Sequence, residues 1–149
     1  MKSLKTLFAG LFMSVALLAS QSTLAKDVII TKSELPQKAS SFIDTYFKDK
    51  EVSKVEKDTD FLSVSYKVTF TDNVEIEFDK SGEWDEVDGN TTTLPTGFML
   101  APIVTYVSDH YKGETITKIE KETRKYEVKL SNGVELEFSK DGKFKRIDQ

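Results

Sequence analysis

Apolar and polar side chains trade places along 62–70, where Leu62, Val64, Tyr66, Val68 and Phe70 alternate with Ser63, Ser65, Lys67 and Thr69. A period of two marks a strand with one buried face and one wet face. The stretches "NVEIEF" at 73–78 and "GVELEF" at 133–138 have the same period. Their aliphatic and aromatic members point one way and their glutamates the other. Elsewhere the spacing turns helical. Leu35, Ala39, Phe42, Ile43, Tyr46 and Phe47 predict an amphipathic helix, with Ser33 as its cap and Pro36 in the first turn. Ile103, Val104, Val107 and Tyr111 predict a second helix that starts near Pro102 and ends at Gly113, after a loop over 96–101.

The two phrases belong to a longer correspondence. Residues 66–88 match 126–148 at a constant offset of sixty, with Tyr66/Tyr126, Val68/Val128, Phe78/Phe138, Gly82/Gly142, Trp84/Phe144 and Val87/Ile147 in step. Upstream, Val52/Ile116, Val55/Ile119 and Glu56/Glu120 match at an offset of 64, so the first copy holds four extra residues near 58–61. Each copy opens on Leu-Pro, at Leu35-Pro36 and Leu94-Pro95. Such a repeat reads as one supersecondary unit stated twice: a helix, then four strands, the first of them at 52–57 and 116–121.

Side-chain faces set the register. A two-residue turn after Leu130 would swing Glu135 toward the core, whereas the loop Ser131-Asn132-Gly133 pairs Val128 with Leu136 and Tyr126 with Phe138. Gly133 then occupies the left-handed position of the hairpin, and Asn73 fills it in the first copy. Phe78 pairs with Trp84 and Phe138 with Phe144, and the three-residue steps from Trp84 to Val87 and from Phe144 to Ile147 predict a bulge in each last strand. The expected fold is α+β. It is a tandem repeat of helix plus four-stranded antiparallel sheet, over 33–89 and 94–149, forming one domain across 26–149 with both helices on one face of the sheet.

Ahead of that domain, Lys2, Lys5, an apolar run over 7–19 and Thr23-Leu24-Ala25 read as a signal peptide cleaved near Ala25. The run is shorter than the roughly 20 residues a spanning helix needs. Cysteine is absent, so no lipid anchor and no disulfide is expected, and stability must come from a core. The product is expected in the periplasm or beyond the cell. Removing the leader moves the net charge from −4 to about −6, which opposes a general nucleic-acid-binding role.

Candidate chemistry is sparse. His110 stands alone, at helical spacing from Tyr106, and its counterpart Tyr46 makes a half-buried helix position the simpler reading. With no cysteine nucleophile and no Gly-x-Ser-x-Gly elbow, no catalytic residue, cofactor or metal ligand set is assigned. Glu75 and Glu77 share a strand face, as do Glu135 and Glu137. The register places Lys67 opposite Glu77 and Lys129 opposite Glu135, which is ordinary surface pairing, but Glu127 opposite Glu137, which is not. Residues 79–88 hold five acids and one lysine without the ligand spacing of a calcium loop, whereas 139–148 hold four bases and two acids. The copies agree where they are buried and reverse charge where they are exposed. That reversal either tunes recognition or draws the two last strands together.

The order Leu-Pro, helix ending in Phe or Tyr, "V-x-K-V-E" or "I-x-K-I-E", then "Y-x-V-x-F/L-x-x-N/G-V-E-I/L-E-F" and "K-x-G-x-W/F" resembles the PepSY-like, β-lactamase-inhibitor-like family over 35–149. The resemblance implies an exported protein of Bacteroidota and the fold of β-lactamase inhibitor proteins, whose exposed sheet face can dock a partner. It implies no agreed activity. The expected function is therefore an exported non-catalytic binding module, protein-binding or inhibitor-like, acting on an envelope or secreted protein. Its candidate contacts are Lys67, Thr69, Glu75, Glu77 and Asp85 in the first copy and Glu127, Lys129, Glu135, Glu137 and Lys145 in the second. Trp84 is a candidate aromatic anchor, although its pairing with Phe78 favours the core. The alternative is a small-ligand or calcium-binding periplasmic carrier or sensor with a pocket between sheet and helices.

Overall fold

Among the described residues, strands that follow one another in sequence also lie side by side in the sheet. The computed structural model describes residues 27–148, so the leader lies outside the described residues. The strands are β1 (Val28–Ile29), β2 (Val52–Thr59), β3 (Val64–Phe70), β4 (Glu75–Asp79), β5 (Trp84–Asp88), β6 (Ile116–Lys121), β7 (Lys125–Leu130), β8 (Glu135–Ser139) and β9 (Phe144–Asp148). They form one antiparallel nine-stranded sheet in sequence order. Helix α1 (Gln37–Tyr46) precedes β2 and α2 (Ala101–His110) precedes β6.

This overturns the expected tandem repeat of helix plus four-stranded sheet. The strands do not divide into two four-stranded units, because β5 and β6 pair through Glu86↔Glu120, Val87↔Ile119 and Asp88↔Lys118. The Gly89 N–H extends that seam by donating to the Thr117 carbonyl at 2.7 Å. A strand that the sequence reading did not include, β1, closes the β2 edge. Strand edges expose unpaired backbone groups, and joining β5 to β6 removes two of them.

One residue from each of the strands β2 to β8 builds an aliphatic row beneath the helices. Val55, Val68, Ile76, Val87, Ile119, Val128 and Leu136 are cross-strand partners in that order, and all are buried. Ile43 and Ala39 of α1 and Ile103 and Val107 of α2 complete the core. The loop before α2 adds Phe98, whose ring lies 5.0 Å from Phe42 and 5.2 Å from Trp84. Trp84 is accordingly packed against the core.

The hairpin registers follow the face argument. Tyr126 faces Phe138, Val128 faces Leu136, and the Leu130 N–H donates to the Val134 carbonyl at 2.9 Å. Asn73 and Gly133 have φ of 65° and 85°. The register slips after Phe78–Trp84 and Phe138–Phe144, which makes Asp85 and Lys145 the bulge residues. Two helix details differ. Glu34, not Ser33, is the capping side chain: its carboxylate accepts the Thr31 N–H at 2.8 Å and caps a short 3₁₀ turn, while α1 begins after Pro36. Leu62, placed on a buried strand face by its alternation, sits at the β2–β3 hairpin tip at 89% exposure. The extra residues of the first copy lengthen that hairpin, and Phe61 beside Leu62 is exposed as well.

Two glycines test the turns. A Cβ at Gly82 (φ 83°) would lie 2.8 Å from Pro36 Cβ and 2.9 Å from the Ala39 nitrogen, whereas one at Gly133 (φ 85°) meets nothing within 4 Å. Urea unfolding of Gly133→Ala should show a loss of about 1 kcal/mol, the left-handed penalty alone. Gly82→Ala should lose roughly 1–3 kcal/mol more through displacement of α1.

Candidate functional site

The sheet face away from the helices carries the charge. Because side chains alternate, the neighbour of each aliphatic row member points to this open face. The result is a second row with one residue from each of β2 to β9: Glu56, Lys67, Glu77, Glu86, Glu120, Glu127, Glu137 and Arg146, each the cross-strand partner of the next. Five consecutive strands, β4 to β8, contribute glutamate. Directly opposed side chains have Cβ atoms about 4.5–5.5 Å apart, and like charges at that separation destabilise a sheet. A parallel row runs beside it through Lys54, Thr69, Glu75, Asp88, Lys118, Lys129, Glu135 and Asp148.

Eight of the sequence-derived candidates lie in these rows: Lys67, Glu77, Glu127 and Glu137 in the first, Thr69, Glu75, Lys129 and Glu135 in the second. Lys67 bridges Glu77 at 2.9 Å and Glu75 at 3.5 Å, and the hydrogen bond to Glu77 raises its pKa. Thr69 Oγ1 donates to Glu75 at 3.3 Å, and Lys129 meets Glu135 at 3.2 Å. Glu137 is less open than its alternation suggested. Its side chain is 9% exposed, covered by Arg146 at 2.8 Å and Lys125 at 3.6 Å, and Lys125 also bonds Glu127. Asp85 and Lys145 stand outside the rows on their bulges. Both border the shallow depression that the β6–β7 turn also lines. Burial raises the Asp85 pKa.

Sequence reasoning missed the middle of the row, Glu86 and Glu120. The "V-x-K-V-E" and "I-x-K-I-E" phrases gave the signal, since an inward Val55 or Ile119 sends Glu56 or Glu120 outward. Lys118 compensates Glu86 at 3.0 Å and Asp88 at 3.8 Å. Glu120 has no ion-pair partner among the described residues. Burial first, then Glu86 and Glu127 on either side, push its pKa up, against the pull of Lys118. Asp88, Lys118, Glu120, Glu127, Lys129 and Glu135 help to line a depression of about 300 Å³ on this face.

Carboxylate oxygens of Glu127, Glu137 and Asp148 lie within 4.8 Å of one another. Arg146 already reaches Glu137 at 2.8 Å and Asp148 at 3.9 Å, so a divalent ion there would compete with a guanidinium. The acidic hairpin 79–88 satisfies itself: Asp79 Oδ1 accepts from the Ser81 N–H at 2.7 Å, the Ser81 hydroxyl at 2.6 Å and the Glu83 N–H at 3.0 Å. β5 and β9 are separated by three strands in the sheet, so direct pairing does not explain their opposite charge. His110 is exposed rather than half-buried, with its ring stacked 4.1 Å from Tyr106 and Nδ1 3.0 Å from the Tyr106 carbonyl.

A family profile described as "Putative beta-lactamase-inhibitor-like, PepSY-like" matches residues 64–146. Solved structures share the fold. One, described as a putative calcium-regulated periplasmic protein of Bacteroides thetaiotaomicron, is 40% identical, with a TM-score of 0.80 over 83% of this chain and 97% of its own. Another, described as a putative periplasmic protein of the DUF2874 family from Bacteroides vulgatus, is 38% identical, with a TM-score of 0.79 over 83% of this chain and 98% of its own. A third, from Bacteroides vulgatus and described as a putative periplasmic protein of unknown function, is 31% identical, with a TM-score of 0.78 over 83% and 100%. No curated protein matches the chain.

The strain at Glu120 is measurable. A carboxylate whose folded pKa is raised binds its proton more tightly in the folded than in the unfolded state, so stability falls as pH climbs above the ordinary glutamate value of about 4.3. Glu120→Gln should therefore melt higher than the parent at neutral pH. Paired thermal scans should show that advantage shrinking as pH drops through the carboxylate range.

Proposed function

The chain belongs to the PepSY-like family, and we propose that it is an exported, non-catalytic module that docks a protein partner on the open face of its sheet. The row of five glutamates carries this reading. A chain required only to fold would alternate signs across the strands, as Glu56, Lys67 and Glu77 do. From β4 to β8 the sign does not alternate, and the burden is greatest at Glu120. Partner lysines or arginines laid along the row would relieve that repulsion and gain complementarity at once. The partner is therefore one with a basic surface. The setting is the periplasm: the sequence of residues 1–25 reads as a leader, and the solved neighbours are described as periplasmic.

The test uses the tagged mature chain and its Glu77→Gln/Glu86→Gln/Glu127→Gln variant as baits for native envelope extract. The parent should retain a specific protein that elutes as salt rises. The variant should lose that protein while melting no lower than the parent. Retention of the same protein by the variant, or retention indifferent to salt, would refute the docking reading.

Calcium supports a second reading. Glu127, Glu137 and Asp148 converge, and a neighbour is described as calcium-regulated. An ion there would displace Arg146, and by linkage calcium would raise the melting temperature. Asp148→Asn should abolish the rise and Glu75→Gln should leave it. A parent whose melting temperature ignores calcium removes this reading.

A further inference from the structure

We propose that two copies of this chain join through β9, edge to edge and antiparallel, into one continuous sheet. This rests on the end of the aliphatic row and not on the docking reading. Every row member from Val55 to Leu136 is at most 3% exposed, yet Ile147, the next partner after Leu136, is 51% exposed. Among the described residues it is a core position without a neighbouring strand on its far side.

The molecule itself shows what such an edge accepts. β9 lies against β8 through Glu137↔Arg146, Leu136↔Ile147 and Glu135↔Asp148, the same stagger in which β5 lies against β4 through Glu77↔Glu86, Ile76↔Val87 and Glu75↔Asp88. The far side of β5 takes a strand through three residue pairs, and Val87 is thereby fully buried against Ile119. The far side of β9 offers the corresponding backbone edge, with Ile147 where β5 has Val87.

The charges choose the occupant. When β9 faces a second β9 about a two-fold axis through Ile147, Arg146 comes opposite Asp148 of the second copy, Asp148 opposite its Arg146, and the two Ile147 side chains meet on the helix side. Both pairs are complementary and both occur in one closed, isologous contact. Shifting the two-fold axis to Arg146 would oppose two guanidiniums. Pairing β9 to the other edge is obstructed by β1, which covers β2 at Glu56 and Lys57, and it would produce open chains rather than a dimer. Three pairs are a short contact, so the dimer is weak and reversible.

Sedimentation equilibrium on the mature chain, from about 10 μM to about 1 mM, should show a monomer–dimer equilibrium. Asp148→Arg sets arginine against arginine twice and should weaken the dimer at least about tenfold. Adding Arg146→Asp to it restores opposite charges and should bring the affinity back to within about threefold. Ile147→Ser, which leaves the ion pairs in place, should also weaken it, with circular dichroism confirming that each variant folds. A parent that stays monomeric throughout, growth beyond the dimer, indifference to Ile147→Ser or Asp148→Arg, or a double variant no better than Asp148→Arg would overturn the proposal.

Discussion

The row Val55, Val68, Ile76, Val87, Ile119, Val128 and Leu136 crosses seven strands without a polar interruption, and it holds the rest of the structure in place. Burying an aliphatic side chain is worth about 1.5–3 kcal/mol, and a one-residue slip in any strand would exchange that contribution for a buried charge. The hairpins cooperate with this constraint rather than compete with it. Asn73 and Gly133 take the positive φ that three-residue loops require, and the bulges at Asp85 and Lys145 bring Val87 and Ile147 back onto the inward face. Once the row is aligned, the outward neighbours are aligned too. The glutamate row is the aliphatic row seen from the other side.

That alignment limits how the sheet can manage its charge. Compensation comes from side chains one step along or one row over. Lys67 serves Glu75 and Glu77, Lys118 serves Glu86 and Asp88, and Lys125 serves Glu127 and Glu137 together with Arg146. Surface pairs of this kind contribute roughly 0–1 kcal/mol each, enough to make the arrangement tolerable and too little to make it favourable. Arg146 on one side and Lys67 on the other bound the run of five glutamates from β4 to β8.

Much of this was legible in the sequence, and the limits have physical causes. Period-two alternation and loop length fixed both hairpin registers, and with them the like-charged contact of Glu127 with Glu137. Pairings across a short turn are local, so residue faces alone decide them. The β5–β6 seam joins strands separated by α2 and a loop, and no local turn reports its register. Glu86↔Glu120 was invisible for that reason, although the outward direction of Glu120 was not. The two-residue β1 has no periodicity to read. Leu62 followed the alternation of β3 in sequence but lies uncovered at a hairpin tip, since binary pattern reports the preference of a residue and not the extent of the layer above it. Glu137 faces the open side as its alternation requires, but the long side chains of Arg146 and Lys125 close over it.

The poorest compensation falls at the thinnest strand pairing between β2 and β9. Glu86 and Glu120 oppose each other at the three-pair junction where β5 meets β6, which is also where the sequence correspondence passes from its first copy to its second. Repulsion there pushes apart strands that little backbone pairing holds, while Val87 and Ile119 on the other face pull them together. A cation supplied from outside, laid over Glu120, would change the sign of the outward term and leave the inward one untouched. Occupancy of the open face and cohesion of the sheet would thereby be linked: a cation bound to the glutamate row would also clamp the seam, and by mass action the bound protein would be the more stable one.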